Sequence, residues 1–340
     1  MRKLLNTLYI TTPESYLSKD GMNVVVSIKQ VETFRIPIIN IESIVTFGYM
    51  GASPGLMKLC ADNGVSLTFL SPSGRFVSRV QGPTKGNVLL RTRQYRLSED
   101  KEYSLSISRL LIASKIQNYR CVLRRFIRDY GDNAEVSEAA CILDRCRREA
   151  LISGNLDELR GVEGGAANVY FTAFPHLIIN QKTDFPFQGR NRRPPRDAVN
   201  AMLSFAYTLI ANDVSAALET VGLDPYVGFM HQLRPGRTSL ALDMMEELRA
   251  YLGDRFVLSL INRRQLSKND FVKQGEESIV MTDNARKVFL SAWQARKKEE
   301  IIHPYLNEKV PIGLLPYVQA MLLARYIRND IDNYPVFLMK

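Results

Sequence analysis

The stretch from Gly222 to Arg249, GLDPYVGFMHQLRPGRTSLALDMMEELR, brings an imidazole and several carboxylates within a few turns of chain. Asp224-Pro225, Gly228 and Pro235-Gly236 mark its first half as loop, and His231 lies there. From about Ser239 onward, Leu240, Ala241, Met244, Met245, Leu248 and Leu252 recur at helical spacing, so Asp243, Glu246 and Glu247 ride on a helix. At about 100° per residue the apolar stripe centres near Ala241, Met245, Leu248 and Leu252, which leaves the acids together on the opposite side. Asp243 and Glu246 are i,i+3 neighbours. Two carboxylates that close repel unless a cation or proton lies between them, and a nearby imidazole adds a ligand suited to a divalent metal. A solvated acidic face beside a surface histidine has the same spacing, so spacing alone leaves both readings open.

A second stretch, LRGVEGGAANVYFTAF from Leu159 to Phe174, carries Glu163 before two glycines. Ala166, Ala167, Tyr170, Phe171 and Phe174 follow at helical spacing, which predicts Glu163 in the first turn of a buried helix whose small residues admit another backbone. A carboxylate there could also do no more than complement the helix dipole. Between the two stretches, GRNRRPPRD places Arg190, Arg192, Arg193 and Arg196 on a loop stiffened by Pro194-Pro195, ahead of a helix beginning near Asp197. Guanidinium groups beside a helix N-terminus suit phosphate, and a duplex backbone would satisfy them. Asn200, Ser204 and Tyr207 then form one polar stripe on that apolar helix, as site-lining groups or as ordinary caps and packing.

Taken in order, GVEGGAANVYF, NRRPPRDAVNAMLSFAY, GLDPYVGFMH and LALDMMEELR closely resemble the CRISPR-associated endonuclease and integrase of spacer acquisition, the universal adaptation nuclease family, of subtype I-C. QAMLLARYIRNDIDNY, Gln319 to Tyr334, is similar to that family's closing helix. The resemblance implies a metal-dependent DNA endonuclease and integrase that inserts short duplex spacers into a CRISPR array by direct transesterification, in antiviral defence. It implies Mg2+ or Mn2+ held by Glu163, His231 and Glu246, with Asp243 in a supporting role. Its implied partners are double-stranded DNA, both pre-spacer and repeat, a second copy of the chain, and a small ferredoxin-like adaptation subunit. Two other classes share these residues: a non-catalytic duplex-binding scaffold, and a metal-dependent phosphohydrolase acting on a small substrate.

The elements that must position these groups divide the 340 residues in two. A composition 46% hydrophobic and 24% charged is that of a globular chain able to bury a substantial core. LLNTLYITT, NVVVSIK, TFRIPI, IESIVTFG, VSLTFLS and RFVSRVQG read as short strands, with turn signals at Asp20-Gly21, Asn63-Gly64 and Ser73-Gly74 and one helix over SPGLMKLCADNG. Residues 1–82 are therefore expected to form a β-rich domain, which the resemblance makes the dimerisation domain. Residues 83–87 read as a linker and 88–340 as a larger all-α catalytic domain, giving an α+β fold overall. A long amphipathic helix runs from Leu105 to Phe126 with Arg109, Lys115, Arg120, Arg124, Arg125 and Arg128 interspersed, and another spans Val136 to Ala150. Such basic runs read as solvated faces.

An excess of 45 Lys and Arg over 35 Asp and Glu, a formal +10, favours polyanionic partners without identifying one. MRKLLNTLYI has no cleavage pattern after it, and AMLSFAYTLIA is too short to span a bilayer, so a cytoplasmic protein without membrane contact is expected. Cys60, Cys121, Cys141 and Cys146 lack zinc spacing and read as reduced thiols. His176, His303 and Trp293 read as structural, with Arg296, Lys297 and Lys298 reaching outward.

Overall fold

A computed structural model of the chain describes residues 7–41, 43–48, 51–71, 76–80, 82, 87–191, 194–275 and 277–339. The fold is α+β, a β-rich N-terminal region followed by a mainly helical one. The chain forms two compact units: Met1–Lys85 with Asp283–Glu299 and Pro311–Leu314, and the remainder, Gly86–Thr282 with Glu300–Val310 and Leu315–Lys340. The chain thus returns to the first unit after leaving it. The linker read over residues 83–87 lies outside the described residues except for Asn87.

The first unit holds two four-stranded sheets. One contains β1 (Thr7–Ile10), β5 (Ser43–Phe47), β7 (Ser66–Leu70) and β8 (Phe76–Val80) in that order, the first three parallel and β8 antiparallel to β7. The other runs β4 (Val31–Pro37), β3 (Asn23–Ile28), β2 (Ser15–Asp20), β6 (Gly51–Ala52). Helix α1 (Pro54–Asp62) starts at Ser53, whose hydroxyl accepts the Leu56 amide at 3.2 Å. Leu17, Val24, Ile44, Leu56, Cys60 and Leu67 are wholly buried in the common core. Strand β2 was not expected from SYLSKD, which is polar; its pairing with β3 across Asp20-Gly21 makes it a strand, and Leu17 alone carries it into the core. Ser73-Gly74 lies outside the described residues. Trp293 is buried, on α9 (Asp283–Lys298), as expected, but Lys297 is buried too and does not reach outward.

The second unit contains α2 (Val88–Glu99), α3 (Lys101–Tyr130), α4 (Ala134–Ile152), α5 (Leu156–Ala173), α6 (Ala198–Val221), α7 (Ser239–Met245), a π-helical turn (Arg249–Asp254), α8 (Arg255–Asn262) and α10 (Leu315–Ile327). It is not all-α. Hairpins β9–β10 (Phe271–Gln274, Ser278–Met281) and β11–β12 (Glu300–Ile302, Lys309–Pro311) interrupt the helices. Asp100 separates α2 from α3 by accepting the amides of Glu102 and Tyr103, at 2.9 and 3.1 Å. Helix α6 begins where Asp197 accepts the Asn200 amide at 2.7 Å. It runs 24 residues and is long and apolar enough to cross a membrane by length and composition, against the expectation of a shorter segment. Met202, Leu203, Ala206, Ile210 and Leu218 are buried, as in a central core helix. His176 pairs with Glu135 at 3.2 Å and His303 with Gln319 at 3.0 Å, both structural contacts.

Candidate metal centre

Glu163 does not stand in a first turn. Helix α5 starts at Asn155, whose side chain accepts the amides of Asp157 and Glu158 at 3.0 and 2.9 Å, so Glu163 lies two turns inside. The glycines after it admit no neighbouring backbone: a Cβ on Gly164 or Gly165 would meet nothing within 4 Å. They leave the surface beside Glu163 open.

The acids of the Gly222–Arg249 stretch are not a solvated face. Asp243, Glu246 and Glu247 are all buried, and each turns to a different set of partners. Asp243 is the anchor of the His231 loop. Its Oδ2 accepts the amides of Phe229 and Met230 at 2.6 and 3.0 Å, while Oδ1 accepts the His231 amide at 3.0 Å and stands 2.5 Å from His231 Nδ1. Gly228 makes this possible, because a Cβ there would meet Asp243 Oδ2 at 2.6 Å and the Leu240 amide nitrogen at 2.9 Å. A carboxylate can only accept, so Nδ1–H is the donor of this pair, and Nε2 of the ring, whose side chain is 19% exposed, is not engaged by Asp243. Arg160, one turn before Glu163, donates to Met230 O at 2.9 Å and ties the loop to α5.

Glu246 turns the other way, towards Glu163. The ammonium of Lys115, on α3, pairs with Glu163 Oε1 and stands 2.7 Å from Glu246 Oε2. Glu246 Oε2 has no hydrogen bond of good geometry, only that ion pair. Its Oε1 pairs with Arg249 at 2.9 Å. Burial pushes the Glu246 carboxyl up, but Arg249, Lys115 and His231 outweigh it and hold the group at about 2. Glu246 is thus an anion, and it shares one cation with Glu163. Among the described residues no three His, Cys, Asp or Glu side chains stand together closely enough to hold an ion, and the Lys115 ammonium occupies the place that Glu163 and Glu246 share.

Glu247 points away, into the unit's core. It accepts from Tyr334 Oη at 2.5 Å, the Phe337 amide at 2.6 Å and Gln319 Nε2 at 3.1 Å, holding the C-terminal tail. Burial raises its carboxyl to about 7 against those donors. It contributes nothing to the Glu163–Glu246 pair.

In the polar stripe of α6, Asn200 and Tyr207 are buried and Ser204 is half-buried. Two guanidinium groups stand over the Tyr207 ring, Arg190 at 5.3 Å and Arg249 at 5.0 Å from its centre, and its hydroxyl donates to Asp254 at 2.5 Å. Both ends of the π-helical turn, Arg249 and Asp254, therefore face this tyrosine. Gly253 between them admits the ring, since a Cβ there would meet Tyr207 Cε1 at 2.9 Å. Arg190 is committed inward, donating to Asn200 Oδ1 at 2.7 Å and Ser204 Oγ at 3.0 Å. Arg196 is exposed and pairs with Glu277 at 2.8 Å, and Arg192 and Arg193 lie outside the described residues.

The sequence reading missed Lys115, Arg249 and Asp254. Lys115 was grouped with solvated arginines, yet it is only 1% exposed. The signal was there: it falls in the apolar stripe Leu111, Ile112, Ile116, Tyr119, where a charge needs a buried partner.

Residues 8–295 match the family model of the CRISPR associated protein Cas1. The chain belongs to the Cas1 family. It is 48% identical to the CRISPR-associated endonuclease Cas1 1 of Chlorobaculum tepidum over 343 residues, covering all of both chains. It is 50% identical over 347 residues to the CRISPR-associated endonuclease Cas1 2 of Rhodospirillum rubrum, again covering all of both. A Cas1 protein from Thermotoga maritima has the same fold, with a TM-score of 0.82 at 21% identity over 98% of this chain and 100% of that one. Among Cas1 proteins, then, the glutamates and histidine described above are this chain's candidate catalytic centre.

Proposed function

We propose that Glu163, His231 and Glu246 form a divalent-metal site at which this Cas1 protein cleaves DNA and joins short duplexes into a CRISPR array. The observation that carries this is the convergence of Glu163 and Glu246 on one cation position; His231, with its Nδ1 held by Asp243, is the third ligand of the reading. Two carboxylates and an imidazole fit a hard or borderline divalent ion, and one nitrogen among oxygens suits Mn2+ somewhat better than Mg2+. The ion, when bound, would polarise the scissile phosphate and offset charge on the leaving oxygen. Glu163 on α5 and Glu246 in the turn after α7 would hold it, and His231 would present Nε2 with its ring fixed by Asp243. Arg249 keeps Glu246 ionised and aimed. In the transfer step a 3′ hydroxyl oxygen forms the new bond to phosphorus as the target strand's phosphorus–oxygen bond breaks, and the hydroxyl proton passes to solvent.

The partners in this reading are double-stranded DNA, a second copy of the chain and a small ferredoxin-like adaptation subunit, with the cytoplasm as compartment and subtype I-C as the system. Strand β4, exposed along almost its whole length with Val31 and Phe34 outward, is an edge that a second copy could cover. Phosphate contact falls to Arg192, Arg193 and Arg196 more than to Arg190, whose guanidinium is already taken. A strand-transfer assay with a labelled duplex and a supercoiled plasmid tests the proposal. Transfer that requires a divalent cation and stops with chelator supports it, and transfer that persists in chelator refutes it.

A further inference from the structure

Lys115 is a buried cation for which the proposed reaction has no use. Its side chain is 2% exposed, and α3 delivers it from within an apolar stripe to the point where Glu163 and Glu246 meet. The Tyr119 ring, 5.7 Å away, backs the ammonium. A lysine costs more to bury than almost any other side chain, and here its charge is balanced by two acids that would otherwise repel each other. Glu246 keeps Arg249 as a second cation, so the ammonium is not needed to neutralise Glu246 alone. What it does alone is occupy the position common to both glutamates.

We propose that Lys115 is an internal competitor of the divalent ion, holding Glu163 and Glu246 together without metal and giving up that position when an ion binds. This rests on the metal reading of the same residues. Two consequences follow from charge. The metal-free site is kept assembled and close to neutral, so a phosphate backbone can approach it without meeting two bare carboxylates. The ion, in turn, has to displace an ammonium, which weakens its binding and makes loading depend on its concentration. A binding competition of this kind is reciprocal: whatever the ammonium gains from the acids, the ion loses.

Mn2+ binding to the full chain, read from the electron paramagnetic resonance of free Mn2+, tests this with no reference to catalysis. Lys115→Met keeps an unbranched side chain without the charge, and its Kd for Mn2+ should be about 10-fold lower than that of the wild type. Lys115→Arg, which keeps the charge, should bind Mn2+ no more tightly than wild type. Equal or weaker Mn2+ binding by Lys115→Met overturns the proposal and leaves the metal site standing. Absence of Mn2+ binding by the wild type removes the metal reading and this inference with it. Should Lys115→Met fail to fold, wild-type protein carrying 13Cε-labelled lysine decides the matter. Saturating Mg2+ should move the Lys115 resonance, assigned by its loss in Lys115→Arg, and a resonance that does not move refutes displacement.

Discussion

Replacing Asp243 by asparagine separates its holding role from that of a metal ligand. Four donors converge on this buried carboxylate: the amides of Phe229 and Met230 on one oxygen, and the amide and Nδ1 of His231 on the other. An amide offers one oxygen and one NH2, so whichever way it turns, one pair of donors keeps an acceptor and the other faces N–H groups. Two buried donors left unpaired cost about 1–3 kcal/mol each, roughly 2–6 kcal/mol together. Set against a domain stability of about 5–15 kcal/mol, that is a large loss for a change of one atom. The His231 ring loses its fixed orientation in part, and strand transfer should fall about 10- to 100-fold, as when a group that orients a metal ligand is changed. Urea unfolding and initial strand-transfer rates, the latter measured where both proteins are folded, give the two numbers. Wild-type stability in Asp243→Asn would refute the reasoning from four donors, and a total loss of transfer equal to that of Glu246→Ala would make Asp243 a ligand instead.

Other outcomes follow from the same contacts. Glu246→Asp should retain partial activity, since it keeps the charge but draws the carboxylate back by one methylene; initial rates across Mn2+ concentrations check it, and full activity would count against a fixed ligand position. Arg190→Ala should lower thermal stability by removing the bonds to Asn200 and Ser204 while leaving the salt dependence of duplex binding unchanged, whereas Arg196→Ala should lower the log–log slope by about 0.9. Glu247 binds its proton more tightly folded than unfolded, with its carboxyl raised from 4.5 to about 7, so its contribution to stability is greatest at low pH and is lost as pH rises between those values. The stability difference between wild type and Glu247→Ala should therefore shrink by about 3 kcal/mol from pH 4.5 to pH 7 in urea titrations. A difference that stays constant with pH would place the group outside this range.

The sequence was most legible where local chemistry decides structure. Ser53 and Asp197 set the starts of α1 and α6 because their side-chain oxygens accept an amide three residues on. Glu163, His231 and Glu246 could be singled out from their motifs, and Asp243 as their neighbour. What could not be read depends on residues far apart in the chain. Asn155 caps α5 earlier than Gly164-Gly165 suggested, and the helix carries those glycines in its interior. The three acids of the Gly222–Arg249 stretch were expected to share one side, but α7 ends at Met245, and Glu246 and Glu247 lie in the turn after it, each with different partners. Their partners, Lys115 for Glu246 and Tyr334 for Glu247, lie more than a hundred and almost ninety positions away, and no local pattern links them. A lysine inside an apolar stripe was the one visible sign.

The central claim is that Glu246, and not its neighbour, joins Glu163 and His231 in a metal-dependent centre. It is tested most directly by the initial strand-transfer rate of folded Glu246→Ala, measured across Mn2+ concentrations beside wild type. The rate should stay at background at every Mn2+ concentration that saturates the wild-type protein. A Glu246→Ala protein that transfers strands at the wild-type rate would contradict it.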